Sequence, residues 1–207
     1  LAIELAAARV NVLSAEEIAR RLDDMFHLLG GGSRTALPQQ RTLEAAIDWS
    51  YRLLPRPEQL LFNRLSVFRG GFTLEAAEQV GAGSDQGPDV LELLSQLVNK
   101  SVVTVEQKEG RPTRYRLLET LRQYGWDRLR ESDETTDRRD RHTRFFMELA
   151  QNIESKLQST ISAGLLASLK DDHDNLRAAV EWGLESNNPE FVGSDSMGSL
   201  ISLVISI

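Results

Sequence analysis

Cysteine is absent from the 207 residues, and that one gap removes disulfides and thiolate zinc sites together. A secreted, disulfide-stapled module is excluded, and a reducing cytoplasm is the expected setting. Histidine is scarce: His27, His142 and His173 are the only three, and they fall far apart in different elements. No two have helical ligand spacing, so a zinc hydrolase site and its metal are not expected. There is no run of 18 or more apolar residues to span a bilayer, and no charged-then-apolar signal pattern opens the chain. Positive charge is short as well. The net charge is −7, and residues 160–207 contribute most of it. An acidic balance repels phosphate backbones, so nucleic-acid binding would need a local basic patch. Finally, Gly-x-Ser-x-Gly, Walker, Rossmann and kinase motifs are all missing. Without convergent titratable groups the chain is not expected to turn over a substrate or to carry a cofactor of its own.

What remains is 41% hydrophobic and 27% charged, ordinary for a soluble globular protein. The chain begins at Leu1, within what reads as a helix already under way to about Leu13, as expected of an interior piece of a longer protein. Ser14 with Glu17 forms a capping box for a second helix. Gly30 to Pro38 reads as a linker; its glycines lack the Gly-Lys-Ser/Thr that a phosphate loop requires. Thr42 is expected to cap a helix whose apolar positions follow the 3.6-residue period through Leu43, Ala46, Ile47 and Leu54. Pro55 and Pro57 end it and open the next, with Leu61, Leu65 and Phe68. Thr73 caps a short helix to Val80, a polar loop runs from Gly81 to Gly87, and Pro88 starts a helix with Leu91, Leu94 and Val98 in line.

Ser101 to Gln107 is β-branched and partly alternating, Lys108 to Pro112 is a turn, and Thr113 to Leu118 returns as the second strand of a hairpin. Helix, helix, short helix, helix, hairpin is the order of a winged helix. Helices then resume: Leu121, Gly125 and Leu129 line one, the polar stretch Glu131 to Thr136 interrupts, and Phe146, Leu149, Ala150, Ile153 and Leu157 line another. A pair is expected at Ala163 to Lys170 and Asn175 to Ser186, the opening of a helical repeat array. The tail, Ser199 to Ile207, reads as a strand. The expected fold is therefore mainly α: a small helical segment at 1–41, a winged helix with one β-hairpin at 42–118, antiparallel helical hairpins at 119–186, and an atypical tail at 187–207.

The winged-helix order raises the question of DNA, because in such folds the last helix before the hairpin enters the major groove and the wing meets the backbone. Here that helix offers Gln96, Asn99 and Lys100, and the wing adds Lys108, Arg111, Arg114 and Arg116. Asp89 and Glu92 leave the helix acidic, and Glu106 and Glu109 dilute the wing, so the residues favour packing against protein over direct DNA contact. Arg138, Arg139, Arg141 and Arg144 alternate with acids, which points to a solvated, ion-paired helix face. The dense cluster Asp171-Asp172-His173-Asp174 lacks the glycine and terminal glutamate of a calcium loop. Its better reading is a cap, with Asp172 or Asp174 starting the next helix. Trp49, Trp126 and Trp182 read as inter-helix packing rather than stacking platforms.

Six segments taken together, Leu1–Arg9, Thr42–Tyr51, Phe68–Ala77, Leu97–Ser101, Tyr115–Tyr124 and His173–Ala179, resemble the NB-ARC-type signal-transduction ATPases. The resemblance is to their large bacterial members, the LuxR-like transcriptional regulators, and it implies a layout. Residues 1–41 would end the small helical domain behind a nucleotide site, 42–118 would be the winged helix, and the rest would lead into a tetratricopeptide-like sensor array. ATP or ADP with magnesium would belong to the intact parent, bound upstream of Leu1. Partners would be that upstream domain, proteins or an inducer at the helical array, and further copies on activation. In relatives of that class a Met-His-Asp-like motif reads the nucleotide phosphate; Leu117-Leu118-Glu119 stands there in this sequence, and an aliphatic Leu118 cannot donate to phosphate.

Overall fold

The computed structural model describes residues 38–83, 89–157 and 163–206. The expected helices at Leu1–Leu13 and after Ser14, and the glycine linker, lie outside the described residues.

Helix α1 (Pro38–Arg52) precedes a three-helix unit of α2 (Arg56–Leu65), α3 (Leu74–Gly81) and α4 (Val90–Asn99). Thr42 sits inside α1 instead of capping it. Pro55 is the N-cap of α2, where a missing N–H costs nothing. Thr73 caps α3 as expected, its hydroxyl accepting from the Ala76 amide at 3.2 Å. Asp89 caps α4 through the Leu91 amide. The buried face of α4 is Val90, Leu94 and Leu97, with Val98 packed partly against it; of the expected line Leu91, Leu94 and Val98, only Leu91 departs, at 44% exposed. Beyond α4, Ser101 takes a positive φ of 55°. The Val102 amide then reaches back to the Leu97 carbonyl and Ser101 to Val98, both at 2.9 Å, closing the helix in a Schellman turn.

The wing is β2 (Val103–Glu106) paired antiparallel with β3 (Arg114–Leu117). A two-residue strand absent from the sequence reading, β1 (Gly71–Phe72), pairs with the other edge of β3, giving the order β1-β3-β2. Two residues carry too little alternation to be read as a strand. Helix α5 (Glu119–Arg130) follows, and packs so closely on α2 that a Cβ on Gly125 would lie 3.0 Å from Phe62 and 3.2 Å from Ser66. Gly125→Val is accordingly expected to cost about 1–3 kcal/mol through overpacking, measured by urea denaturation.

The remaining helices are α6 (Thr135–Leu157), α7 (Ala163–Glu185) and α8 (Asp195–Ser206). Two expectations fail here. The pair divided near residues 171–174 is one continuous helix, because Leu169, Asp172, Asn175, Leu176 and Ala179 form an unbroken buried stripe through the acidic cluster. The tail is a helix and not a strand. Met197, Leu200 and Leu203 bury at helical spacing beside Phe191, and Ser194 caps the start by accepting from the Met197 amide. Tertiary burial here overrides the β propensity of the Ile- and Val-rich tail. The described helices thus form a winged helix and antiparallel helical hairpins around one continuous hydrophobic core, with Phe68, Phe72 and Phe146 meeting where the two halves join.

Candidate nucleic-acid interface and its intramolecular partners

Helix α4 and the wing are the elements a winged helix would present to DNA. On α4, Ser95, Gln96 and Asn99 are exposed, beside the acidic Glu92. Lys100 is committed elsewhere: its ammonium meets both carboxylate oxygens of Glu58, itself only 6% exposed, at 2.5 and 2.6 Å.

The wing is divided between solvent and the interior. Lys108 and Arg116 are exposed, although Lys108 pairs with Glu106 at 2.6 Å. That hydrogen bond, with the nearby charge, holds the Glu106 carboxyl below its ordinary range. Arg111 reaches Asp171 of α7 at 3.2 Å. Arg114 is part-buried, and its fork takes both oxygens of Asp172 at 2.6 and 3.1 Å while also donating to the Gly71 carbonyl at 2.8 Å. The acidic cluster of α7 is therefore the counterpart of the wing. Its expected role as a helix cap is replaced by two inter-element ion pairs. Among the described residues no group of three or more acids and histidines is arranged to hold a metal ion.

Asn175, one turn along α7, completes the join. It is fully buried, accepts from the Arg69 amide at 2.7 Å and donates to the Gly71 carbonyl at 2.8 Å. Two backbone groups at the edge of the small sheet are thus satisfied by a side chain over a hundred residues away. Beside it lies His142, wholly buried and flanked by Phe68 and Phe146 at ring distances of 5.3 and 4.7 Å. Burial lowers its pKa to about 4, so the ring is neutral at physiological pH.

Leu117, Leu118 and Glu119 form the junction of the wing with α5. Leu117 is buried and Leu118 is 54% exposed, and neither side chain carries a donor. Glu119 accepts from both Arg122 and Gln123, and the Arg122 bond takes its pKa down to about 2. An ionised carboxylate with no donor beside it on these three residues does not fit a nucleotide phosphate.

The arginine run of α6 departs from a solvated face. Arg138 is 4% exposed and donates to the carbonyls of Val80 and Ala82 at 3.0 and 2.6 Å, capping the C-terminal end of α3. Arg139 lies over the Trp182 ring at 3.8 Å. Arg144 does sit at the surface, paired with Glu190. Trp182 donates to Asp140 at 2.6 Å, so it packs between helices as read. The contacts of Arg69 and Asn175 have no local signal in the sequence, since they join elements far apart in the chain.

This geometry is a winged helix followed by helical hairpins, and residues 54–130 match the family model of a winged helix-turn-helix domain. Over 189 residues the chain is 47% identical to a protein of Mycobacterium tuberculosis provisionally named an HTH-type transcriptional regulator, and equally to its counterpart in Mycobacterium bovis. That alignment covers 91% of this chain and 21% of each relative, so the chain spans about a fifth of their length. An uncharacterised M. tuberculosis protein is 46% identical over 136 residues, 65% of this chain and 34% of that one. No solved structure matches.

Proposed function

We propose that this chain is a segment of a cytoplasmic transcriptional regulator, with the winged helix-turn-helix as its DNA-binding module. The observation that carries the reading is the winged helix-turn-helix match over residues 54–130, and the names of the relatives support it. The contact set is Gln96 and Asn99 from α4, with Arg116 and the solvent-exposed ion-paired Lys108 and Arg111 from the wing; the more enclosed Lys100 and Arg114 contribute only if Glu58 and Asp172 release them. With so few free cations, binding is backbone-dominated and weak. A labelled 30-base-pair duplex followed by anisotropy is expected to bind at low salt, with a log–log salt slope of about −3 for three phosphate contacts. A Lys108→Glu/Arg116→Glu variant should abolish it. No binding at 50 mM salt, or binding untouched by that variant, would overturn the reading.

A second reading is favoured by the ion pairs of Arg111 and Arg114 with α7, which close the wing onto the helical hairpins. In it, the parent is an NB-ARC-type ATPase of the LuxR-like sort. The winged helix is an intramolecular latch against an upstream ATP- or ADP-binding domain, and the tetratricopeptide-like helices receive an inducer or protein partner before self-association. A ligand shifts such an equilibrium only by its differential affinity for the two states. Calorimetry with ADP and ATP on this chain and on a longer chain carrying the upstream region tests it. Binding by the longer chain alone is expected; binding by neither would reject the nucleotide switch.

A further inference from the structure

A separate cavity of about 150 Å³ lies behind the wing, between the α2–β1 turn, α5, α6 and α7. Arg69, Arg122 and Arg139 line it with Trp126, Trp182 and His142, and no carboxylate is among its described lining residues. Glu119 and Glu181 belong instead to the open depression outside it, where Arg69 and Arg122 also reach the surface. Arg122 is satisfied by Glu119 and by the Ser66 carbonyl, and Arg69 has one pairing with Glu181 at 3.1 Å.

Arg139 is different. Its side chain is only 24% exposed, and Glu185 stands off at 3.8 Å. The guanidinium is held over Trp182 at 3.8 Å and lies 5.7 Å from Trp126, yet among the described residues it donates no hydrogen bond. Its guanidinium therefore keeps donor capacity for a further acceptor entering the cavity. Burial presses its pKa down, opposed by the charges of Glu185, Glu181 and Asp140 and reinforced by Arg69.

We propose that this cavity is a binding site for a small oxyanion, a carboxylate or a phosphoryl group, received by Arg139 with Arg69 and Arg122. Its volume accommodates a group about the size of benzene, so the ligand is a small acid or the acidic end of a larger effector entering from the outer depression. An anion there joins the turn before β1 to α5 and α6, and so ties the winged helix to the helical hairpins. The site does not depend on whether the wing touches DNA.

The test is titration of the 207-residue chain with sodium phosphate and, separately, sodium benzoate at constant ionic strength. Tryptophan fluorescence and the thermal midpoint are followed together. A saturable fluorescence change with a raised midpoint is expected for at least one probe. Phosphate alone assigns the site to phosphoryl groups, and benzoate alone to carboxylates. Arg139→Gln should weaken the response about tenfold or more, since a charge-assisted hydrogen bond is lost. Arg69→Gln gives a second, independent loss, and the surface variant Arg144→Gln should bind as the parent does. A non-saturating response to both anions, or equal saturation in Arg139→Gln and Arg69→Gln, would overturn the proposal.

Discussion

Asp172→Ala is expected to lower the unfolding free energy by about 3 kcal/mol, the lower end of what removing one partner of a buried ion pair costs. The two side chains of the Arg114–Asp172 pair are 13% and 12% exposed, so the guanidinium left behind cannot recover full hydration. It retains the carbonyls of Gly71 and Asp171, at 2.8 and 3.2 Å, which is why the cost falls at the low end. Arg114→Met combined with Asp172→Ala removes the orphaned charge, and the double variant should recover much of the loss. Urea denaturation of the four proteins in the cycle measures this directly. A change below about 1 kcal/mol in Asp172→Ala, or strictly additive single effects, would mean the pair is not coupled. The same variant separates the two functional readings. If the wing binds DNA, freeing Arg114 should tighten binding; if the wing is a latch, the gain should be absent while α7 loosens from it.

The winged helix was legible in the sequence because its signals are local. Thr73 as a cap, the glycine-containing turn after the β-branched segment Ser101 to Gln107, and the prolines around α2 each act within a few residues. The fates of the charged side chains were not, because pairing is a long-range property. Arg114 and Asp172 are separated by 58 residues and Arg69 and Asn175 by 106, and no periodicity links them. The acidic cluster therefore looked like a helix start, when its neighbours on either side continue one buried stripe. The tail failed differently. Its Ile and Val residues satisfy a strand pattern when read alone, and only the docking of Met197, Leu200 and Leu203 beside Phe191 selects a helix. Yet Ser194 carried a cap signal three residues ahead of Met197 that favoured the helix from the start.

His142 makes the protein acid-sensitive from a higher pH than its ion-paired carboxylates do. Its folded pKa of about 4 lies below the ordinary 6.5, chiefly through burial, partly opposed by the Asn175 contact and reinforced by Arg139 and Arg69. The unfolded chain therefore binds a proton between those values that the folded chain does not. Stability rises with pH through this interval and is lost as pH falls from about 6.5 toward 4. The full separation corresponds to about 3 kcal/mol. His142→Phe keeps an aromatic ring against Phe68 and Phe146 and removes the titration, while Asn175 retains the Arg69 amide as its donor. Unfolding free energies at pH 7 and pH 4.5 should fall between the two conditions by about 2–3 kcal/mol more in the parent than in the variant. Losses from ion-paired carboxylates such as Glu119 are common to both proteins and cancel in the comparison. Equal pH dependence would show that His142 is hydrated or paired in the folded state. A protonated ring would also place a further cation beside Arg69 and Arg139. Oxyanion binding, if the cavity takes one, should then raise the His142 pKa and blunt the acid loss in the parent alone.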